Sequence, residues 1–390
     1  AWAVHRLVAI DLPGGEAFVA ALVRAWDAGD AILPVDQRLP APAREVLFEA
    51  ARPHAVVGPG DPTVETPLSD GPPMGADDAL AIATSGTTGA PKVLVHTHAA
   101  IRAHAEAVHR HLAVDPSTDR WLACLPLAHI GGLGVVLRSV VTGTPVDVTG
   151  GFDATMVAAA PDRLGTTLVS LVPTALDRVD PTRFRWIVLG GSADPGDRPS
   201  NVVRTYGLTE TCGGVVYDGG PLPGTEVDVG PGGAIGLRGP WLARGRRGPD
   251  GTVTPVTDED GWLRTGDIGT WRHGRLHVQG RADDLIVTGG ENVWPAPVEA
   301  ALGSHPKVRA VAVAGRPDPE WGSRVVALVE PADPSDPPTL DDLRAHVRAT
   351  LPAYAAPKEL VLVDALPRTA LGKIRRPRFE TGADEPRPGA

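Results

Sequence analysis

Residues 84–92 read Thr84-Ser85-Gly86-Thr87-Thr88-Gly89-Ala90-Pro91-Lys92, a stretch with four hydroxyl side chains, two glycines and one lysine. The chemistry these residue types offer is anion binding. Glycines let the backbone turn tightly and approach a ligand, and successive backbone N–H groups in such a turn form an anion nest. The hydroxyls donate hydrogen bonds, and Lys92 adds a compact positive charge. The physical reading is a clamp for a polyphosphate. The pattern is not a Walker A loop, which requires Gly-Lys-Ser/Thr opening a helix, because Ala90-Pro91 separates Gly89 from Lys92. It is not the kinase glycine-rich loop either. A solvated turn of similar composition is common between strands, and the loop alone does not decide between the two readings.

Lysine usage adds a second signal. Lys and Arg total 37, but only Lys92, Lys307, Lys358 and Lys373 are lysines. Two of the four, Lys92 and Lys373, lie in glycine-containing loops. Arginine is a planar fork and lysine a point charge, so these two positions read as places that need the ammonium.

The loop needs flanking elements to hold it. DALAIATS before it and VLV after it are apolar, so the loop joins two strands or opens one. The stretch 14–29 sets Phe18, Leu22 and Trp26 on one face and predicts an amphipathic helix ending near Gly29. Residues 58–77, rich in Pro, Gly and Asp, read as loop, and 99–112 as helix. The apolar runs WLACLPL, GVVLRSVV, TLVSLVP and WIVLGG alternate with helical stretches, which predicts a mixed or parallel sheet flanked by helices. Turn-rich sequence with alternating apolar residues predicts a β-rich region at about 222–280. HGRLHVQGRADDLIVTGG reads as a hairpin with Arg281–Asp284 between its arms. Beyond it, helix 295–303, strands 308–314 and 324–330, helix 340–350 and strand 359–364 predict a small α+β domain of about 100 residues. Thr339 and Asp342 make a capping pair for the second helix.

Composition narrows the classes. The chain has 390 residues, 42% hydrophobic and 22% charged, which suits one large and one smaller globular domain. A net charge of −10 speaks against non-specific nucleic-acid binding. No apolar run reaches membrane-spanning length, since Arg138 interrupts the best one, GGLGVVLRSVV. The first residues show no signal-peptide pattern. Cys124 and Cys212 are the only cysteines; they exclude a disulfide scaffold and fit a reducing, cytoplasmic setting. The histidines at 96, 98, 104, 109 and 111 scatter over several faces and lack the HExxH pattern of a metal site. Cys212 has no evident base nearby in sequence and reads as a packing residue.

Four further loops follow the first in order: Tyr206–Thr211, Gly261–Asp267, Gly280–Asp284 and Pro367–Lys373. With TSGTTGAPK they resemble, over about residues 80–378, the motifs of the adenylate-forming enzymes, the superfamily of acyl- and aryl-CoA ligases, adenylation domains and luciferases. SLVPTAL at 170–176, HIGGLGVVLRS at 129–139 and TYGLTETCGGVVYDGGPLPG at 205–224 most resemble the o-succinylbenzoate–CoA ligases within it, in their short actinobacterial form.

The resemblance implies an α/β fold with a shortened N-terminus. Its large domain, 1–282, would bind ATP and the acid; a small mobile C-terminal domain, 283–380, would carry a catalytic lysine, and 381–390 would be a disordered tail. It implies ATP, Mg²⁺ and coenzyme A as partners in the chemistry, with a small carboxylic acid as substrate, and it leaves a homo-oligomer open. Thr84, Ser85, Gly86, Thr87, Thr88, Gly89 and Lys92 resemble the loop that holds the β- and γ-phosphates, with Val93 standing where the family usually has glycine. Gly190, Gly191 and Ser192 resemble the segment lining the adenine pocket, and Tyr206, followed by Gly207, the aromatic packed on adenine. Thr209 resembles the α-phosphate contact and Glu210 the Mg²⁺ ligand. Asp267 resembles the carboxylate that accepts the ribose hydroxyls, with Arg281 beside it. Asp283 falls at the hinge position, Gly289 and Gly290 at the pantetheine tunnel, Lys373 at the catalytic lysine and His129 at the acyl pocket.

Three other readings share these residues: ligation of a different aryl or acyl acid, adenylation followed by transfer to a carrier protein, and a non-catalytic nucleotide-binding protein on the same fold.

Overall fold

A computed structural model describes residues 5–68, 70–84, 91–191, 197–368, 374, 376 and 379. The chain divides into two compact units, one of residues 1–227, 236–264 and 273–275, the other of residues 228–235, 265–272 and 276–390.

The first unit holds two mixed sheets with helices against them. In one, strands Ala31–Pro34, Leu7–Ile10 and Ala55–Val57 run parallel, and Asp78–Thr84 joins them beside Ala31–Pro34. Lys92–Thr97 then pairs antiparallel with Asp78–Thr84, and Gly245–Arg247 with Lys92–Thr97. The short parallel strands are fully buried and continuously apolar, as strands covered on both faces are. In the other sheet, Val146–Val148, Trp121–Ala123, Leu168–Leu171, Trp186–Leu189 and Val202–Leu208 form a parallel series. Gly213–Tyr217 closes its far side antiparallel.

The expected helices are present as Glu16–Asp27 and His98–Leu112. Thr97 caps the second, its hydroxyl accepting from Ala100 N. Residues 58–77 are not all loop, because Glu65–Pro67 forms an edge strand on Ala55–Val57. GVVLRSVV is not a strand but the body of helix Ile130–Thr142. Residues 132–139 are all buried, so the run shows no polar face and its periodicity is hidden. Gly132 fixes its start: a Cβ there would lie 2.5 Å from the carbonyl oxygens of Leu125 and Pro126.

In the second unit, Val308–Asp318, Gly322–Pro331, Ile286–Thr288 and Glu291–Val293 form an antiparallel sheet. Glu359–Leu362 is added parallel to Gly322–Pro331. Helices Pro295–Gly303 and Leu340–Arg348 bury Val298, Leu302, Leu343 and Val347 against one face of it. The Thr339–Asp342 capping box is formed. Lys307 pairs with Asp336 at 2.6 Å, and the Lys358 ammonium sits 3.2 Å from the Trp321 ring centre.

The hairpin expected around Arg281–Asp284 is absent. Arg275–Arg281 pairs with Leu263–Arg272 in a separate four-stranded sheet, whereas Ile286–Thr288 pairs with Glu291–Val293. The two real hairpin turns are His273-Gly274 and Gly289-Gly290, where both central residues have positive φ. That geometry matches strand twist. Ala282–Asp284 instead forms a 3-10 turn between the two sheets.

Leu343 is fully buried in the core of the second unit. Leu343→Ala should lower the unfolding free energy of this unit by about 2–5 kcal/mol, read from chemical denaturation.

Candidate active site

Thr84 and Lys92 are the terminal pair of the antiparallel ladder, both half-buried. The loop candidates between them, Ser85, Gly86, Thr87, Thr88 and Gly89, lie outside the described residues. Val93 packs into the core with Leu7, Leu33 and Val95, so its side chain turns away from the Lys92 face of the strand.

The parallel series of the second sheet delivers its strand ends to one edge, the edge at which open α/β sheets bind ligands. Gly190 follows Trp186–Leu189, and its N–H donates to Leu171 O at 3.1 Å. Gly191 has φ of 91°, with Val172 3.1 Å from where a Cβ would stand. Ser192 lies outside the described residues. Tyr206 and Gly207 sit at a bulge near the end of Val202–Leu208. A side chain at Gly207 would collide with the Gly213 carbonyl.

Thr209–Thr211 then makes a single 3-10 turn. The Thr211 hydroxyl closes it, accepting from Leu208 N at 2.7 Å. The buried His96 side chain donates to Thr209 O at 2.9 Å, and Ala243 N donates to Glu210 O at 2.8 Å. Among the described residues, nothing pairs with the Glu210 carboxylate, and no three His, Cys, Asp or Glu side chains gather as a metal cluster.

His129 stands at the N-cap position of helix Ile130–Thr142 without a side-chain capping bond. Its Nε2 stands 3.6 Å from Asp36 Oδ2 and 3.5 Å from Arg38 Nη2. Burial acts to raise the Asp36 carboxyl, but hydrogen bonds from His129 and Arg38 outweigh it and hold the group far below the usual range.

In the second unit, Asp267 is buried on strand Leu263–Arg272, and its N–H donates to Thr265 Oγ1. Arg281 Nε stands 3.5 Å from its carboxylate. Gly266, at φ 74°, leaves the room that the Arg281 guanidinium occupies. Asp283 lies in the 3-10 turn Ala282–Asp284, and the Gly289 N–H donates to Trp321 O at 2.8 Å. Lys373 lies outside the described residues, as does 381–390. The segment before Lys373 is anchored by Leu366 N on Glu330 at 2.6 Å. Arg376, beyond it, pairs with Glu299 at 2.7 Å and with Asp284 at 2.6 Å.

The structure adds one group that the sequence reading used only to reject a membrane span. Arg138 is 6% exposed in the first unit, and its Nε and Nη1 have no hydrogen-bond partner among the described residues. Its guanidinium lies over Trp121 at 4.7 Å, and burial lowers its pKa. The only early signal was a lone cation inside an otherwise apolar run.

Comparison with known proteins agrees with this architecture. A family model described as AMP-binding enzyme matches residues 61–245, and one described as AMP-binding enzyme C-terminal domain matches 297–373. A probable 2-succinylbenzoate–CoA ligase of Mycobacterium tuberculosis is 44% identical over 339 residues, covering 79% of this chain and 86% of the relative. This chain belongs to the AMP-binding enzyme family. A Bacillus licheniformis family member, a 2-succinylbenzoate–CoA ligase, is 36% identical over 77% of this chain and 69% of its own. The structure of o-succinylbenzoate coenzyme A synthetase from Bacillus subtilis with ATP and magnesium ion superposes with a TM-score of 0.81 at 26% identity, covering 95% of this chain and 88% of that one.

Buried histidines, His104 and His109 among them, give the first unit of this family member a defined pH response. Burial first, and the charge of Arg138 second, lower His104 to about 3 and His109 to about 4. In the unfolded chain both titrate near 6.5, so below about that pH the unfolded state binds more protons. The unfolding free energy should therefore fall as pH drops from about 6.5 toward about 4. Urea titrations across that window should show the decline, with a shallower slope for His104→Gln.

Proposed function

We propose that this protein is an AMP-forming acid–CoA ligase that converts 2-succinylbenzoate, ATP and CoA into 2-succinylbenzoyl-CoA, AMP and pyrophosphate, a step of menaquinone biosynthesis. Family membership supports the reaction class, and the curated relatives support the acid. The structural observation that carries the choice of a dicarboxylic acid is Arg138. A buried guanidinium without a carboxylate partner is costly to keep, and an anionic group on a ligand would offset that cost. A monocarboxylate spends its one anion on the chemistry; 2-succinylbenzoate has a second to offer.

The reaction has two steps. A carboxylate oxygen of the acid attacks the α-phosphorus of ATP, the bond to the β-phosphate oxygen breaks, and pyrophosphate leaves. The CoA thiolate then attacks the acyl carbon of the mixed anhydride, and AMP leaves with the electron pair of the acyl–oxygen bond.

Lys92 and the hydroxyls around Thr84 hold the leaving phosphates. Thr209 contacts the α-phosphate, and Lys373 offsets charge at the reacting phosphorus. Gly190, Gly191, Tyr206 and Gly207 form the adenine side, with Ser192 beside them. Asp267 accepts the ribose hydroxyls, with Arg281 steadying its charge. His129, held by Asp36 and Arg38, lines the acid side. Asp283 is the hinge, and Gly289 and Gly290 flank the pantetheine arm.

The donor set fits Mg²⁺. Among the described residues Glu210 is a single unpaired carboxylate with no companion ligands, which suits a cation that keeps its water and phosphate ligands. Mg²⁺ there supplies charge neutralisation at the phosphates.

Among the described residues no helix is long and apolar enough to cross a membrane. The two free, buried cysteines and the ATP and CoA requirement support a cytoplasmic location.

Pyrophosphate release should be far faster with 2-succinylbenzoate than with benzoate or short fatty acids; equal rates would defeat the proposed substrate. Lys373→Ala should abolish acyl-AMP formation while ATP still binds. Arg138→Met should lower kcat/KM for 2-succinylbenzoate by roughly 10²–10³-fold, as expected for one lost buried charge contact, without lowering the melting temperature of the free protein.

A further inference from the structure

His96 stands four residues after Lys92 on strand Lys92–Thr97, and strand alternation sets Lys92, Leu94 and His96 on one face. It is completely buried. Its Nε2 lies 2.9 Å from the carbonyl oxygen of Thr209, 113 residues further along the chain. A carbonyl only accepts, so Nε2 carries the proton and the ring is a donor there. Burial lowers the imidazole to about 4, which keeps it neutral at physiological pH. Nδ1 has no partner among the described residues, so the bond to Thr209 is the one polar contact that orients the ring.

A second tie runs in parallel. Glu210 O accepts from Ala243 N at 2.8 Å, and the next residue, Arg244, donates its N–H to Val95 O at 2.8 Å. Two consecutive carbonyls of the turn are thus fastened to the same strand, one through the His96 ring and one through the 243–244 backbone. The Thr211 hydroxyl closes the turn from the other side. The direction of the Glu210 carboxylate is set by this turn, and the position of Lys92 by the strand.

We propose that His96 is a positioning residue that sets the Thr209–Glu210 turn against the Lys92 strand, so that carboxylate and ammonium address one triphosphate with its divalent cation. This rests on the ligase reading above. His96 touches no reacting atom; it acts through the Thr209 carbonyl. Removing the donor leaves a buried carbonyl unpaired, and the turn shifts to find a partner.

The test is nucleotide binding by calorimetry, without acid or CoA, on the wild-type protein and on His96→Leu, His96→Asn and His96→Gln. Glutamine reaches as far as Nε2 and restores a donor; asparagine is too short, and leucine has none. Adenosine lacks all three phosphates, including the one assigned to Thr209, and serves as the control ligand. For the leucine and asparagine variants, affinity for Mg²⁺–ATP should fall by about tenfold or more, the scale of one lost hydrogen bond to a preorganised site. Their adenosine affinity should stay within about twofold, and the Mg²⁺ concentration needed for half-maximal ATP binding should rise. His96→Gln should recover most of the loss.

Equal losses for ATP and adenosine, or no loss for either, would overturn the proposal, as would failure of glutamine to do better than asparagine. If leucine prevents folding, the two polar variants decide the matter. Wild-type protein that binds Mg²⁺–ATP but releases no pyrophosphate with 2-succinylbenzoate would sink the assigned substrate and leave the His96 comparison intact.

Discussion

Like charges have to meet for this chemistry to run. A carboxylate attacking a triphosphate brings anion against anion, and two unit charges about 4 Å apart repel by about 4 kcal/mol even at an effective dielectric of 20. Cations and N–H or O–H donors must therefore stand in fixed places before the reactants arrive. Under the proposed function, that requirement would fall in the first unit on a strand, a turn and the bonds between them. The strand ends in Lys92, the turn carries Thr209 and Glu210, and His96 and Ala243 hold one to the other.

Much of the surrounding architecture follows from keeping these backbones close. Gly132 and Gly207 stand where a side chain would strike a carbonyl, one at the start of the helix behind His129 and the other at the bulge before the turn. The parallel strands aim their ends at one edge, so that Gly190, Gly191 and Tyr206 arrive there from neighbouring strands without long loops. The buried polar groups nearby divide into two kinds. His104 Nε2 donates to the Gly214 carbonyl at 2.9 Å. Arg138 leaves Nε and Nη1 without a partner among the described residues, and that difference supports its proposed role toward the ligand.

The sequence made the chemistry-bearing loops legible, because each needs particular side chains at fixed spacing. Helices with a polar face and a cap, such as His98–Leu112 and Leu340–Arg348, were legible for the same local reason. What could not be read depends on partners remote in the chain. Residues 132–139 of helix Ile130–Thr142 are all buried, so its period is hidden in an apolar run. The strand Arg275–Arg281 was paired with the wrong neighbour because the φ signature of His273-Gly274 is carried by backbone geometry that histidine does not advertise. His96 looked like one of several scattered histidines, since its partner lies 113 positions away. Arg138 was visible as an interruption, but burial without a partner is a property of the folded chain alone.

The scarcity of lysine has a chemical consequence of its own. An enzyme that generates a mixed anhydride exposes its own surface to an acylating agent, and free amines are the side chains most readily attacked. Arginine stays protonated and is a poor nucleophile at neutral pH. Besides Lys92 and Lys373, the chain has two lysines. One is occupied by Asp336 and the other rests on the Trp321 ring. A chain built this way presents few targets for self-inflicted covalent damage when its activated intermediate escapes.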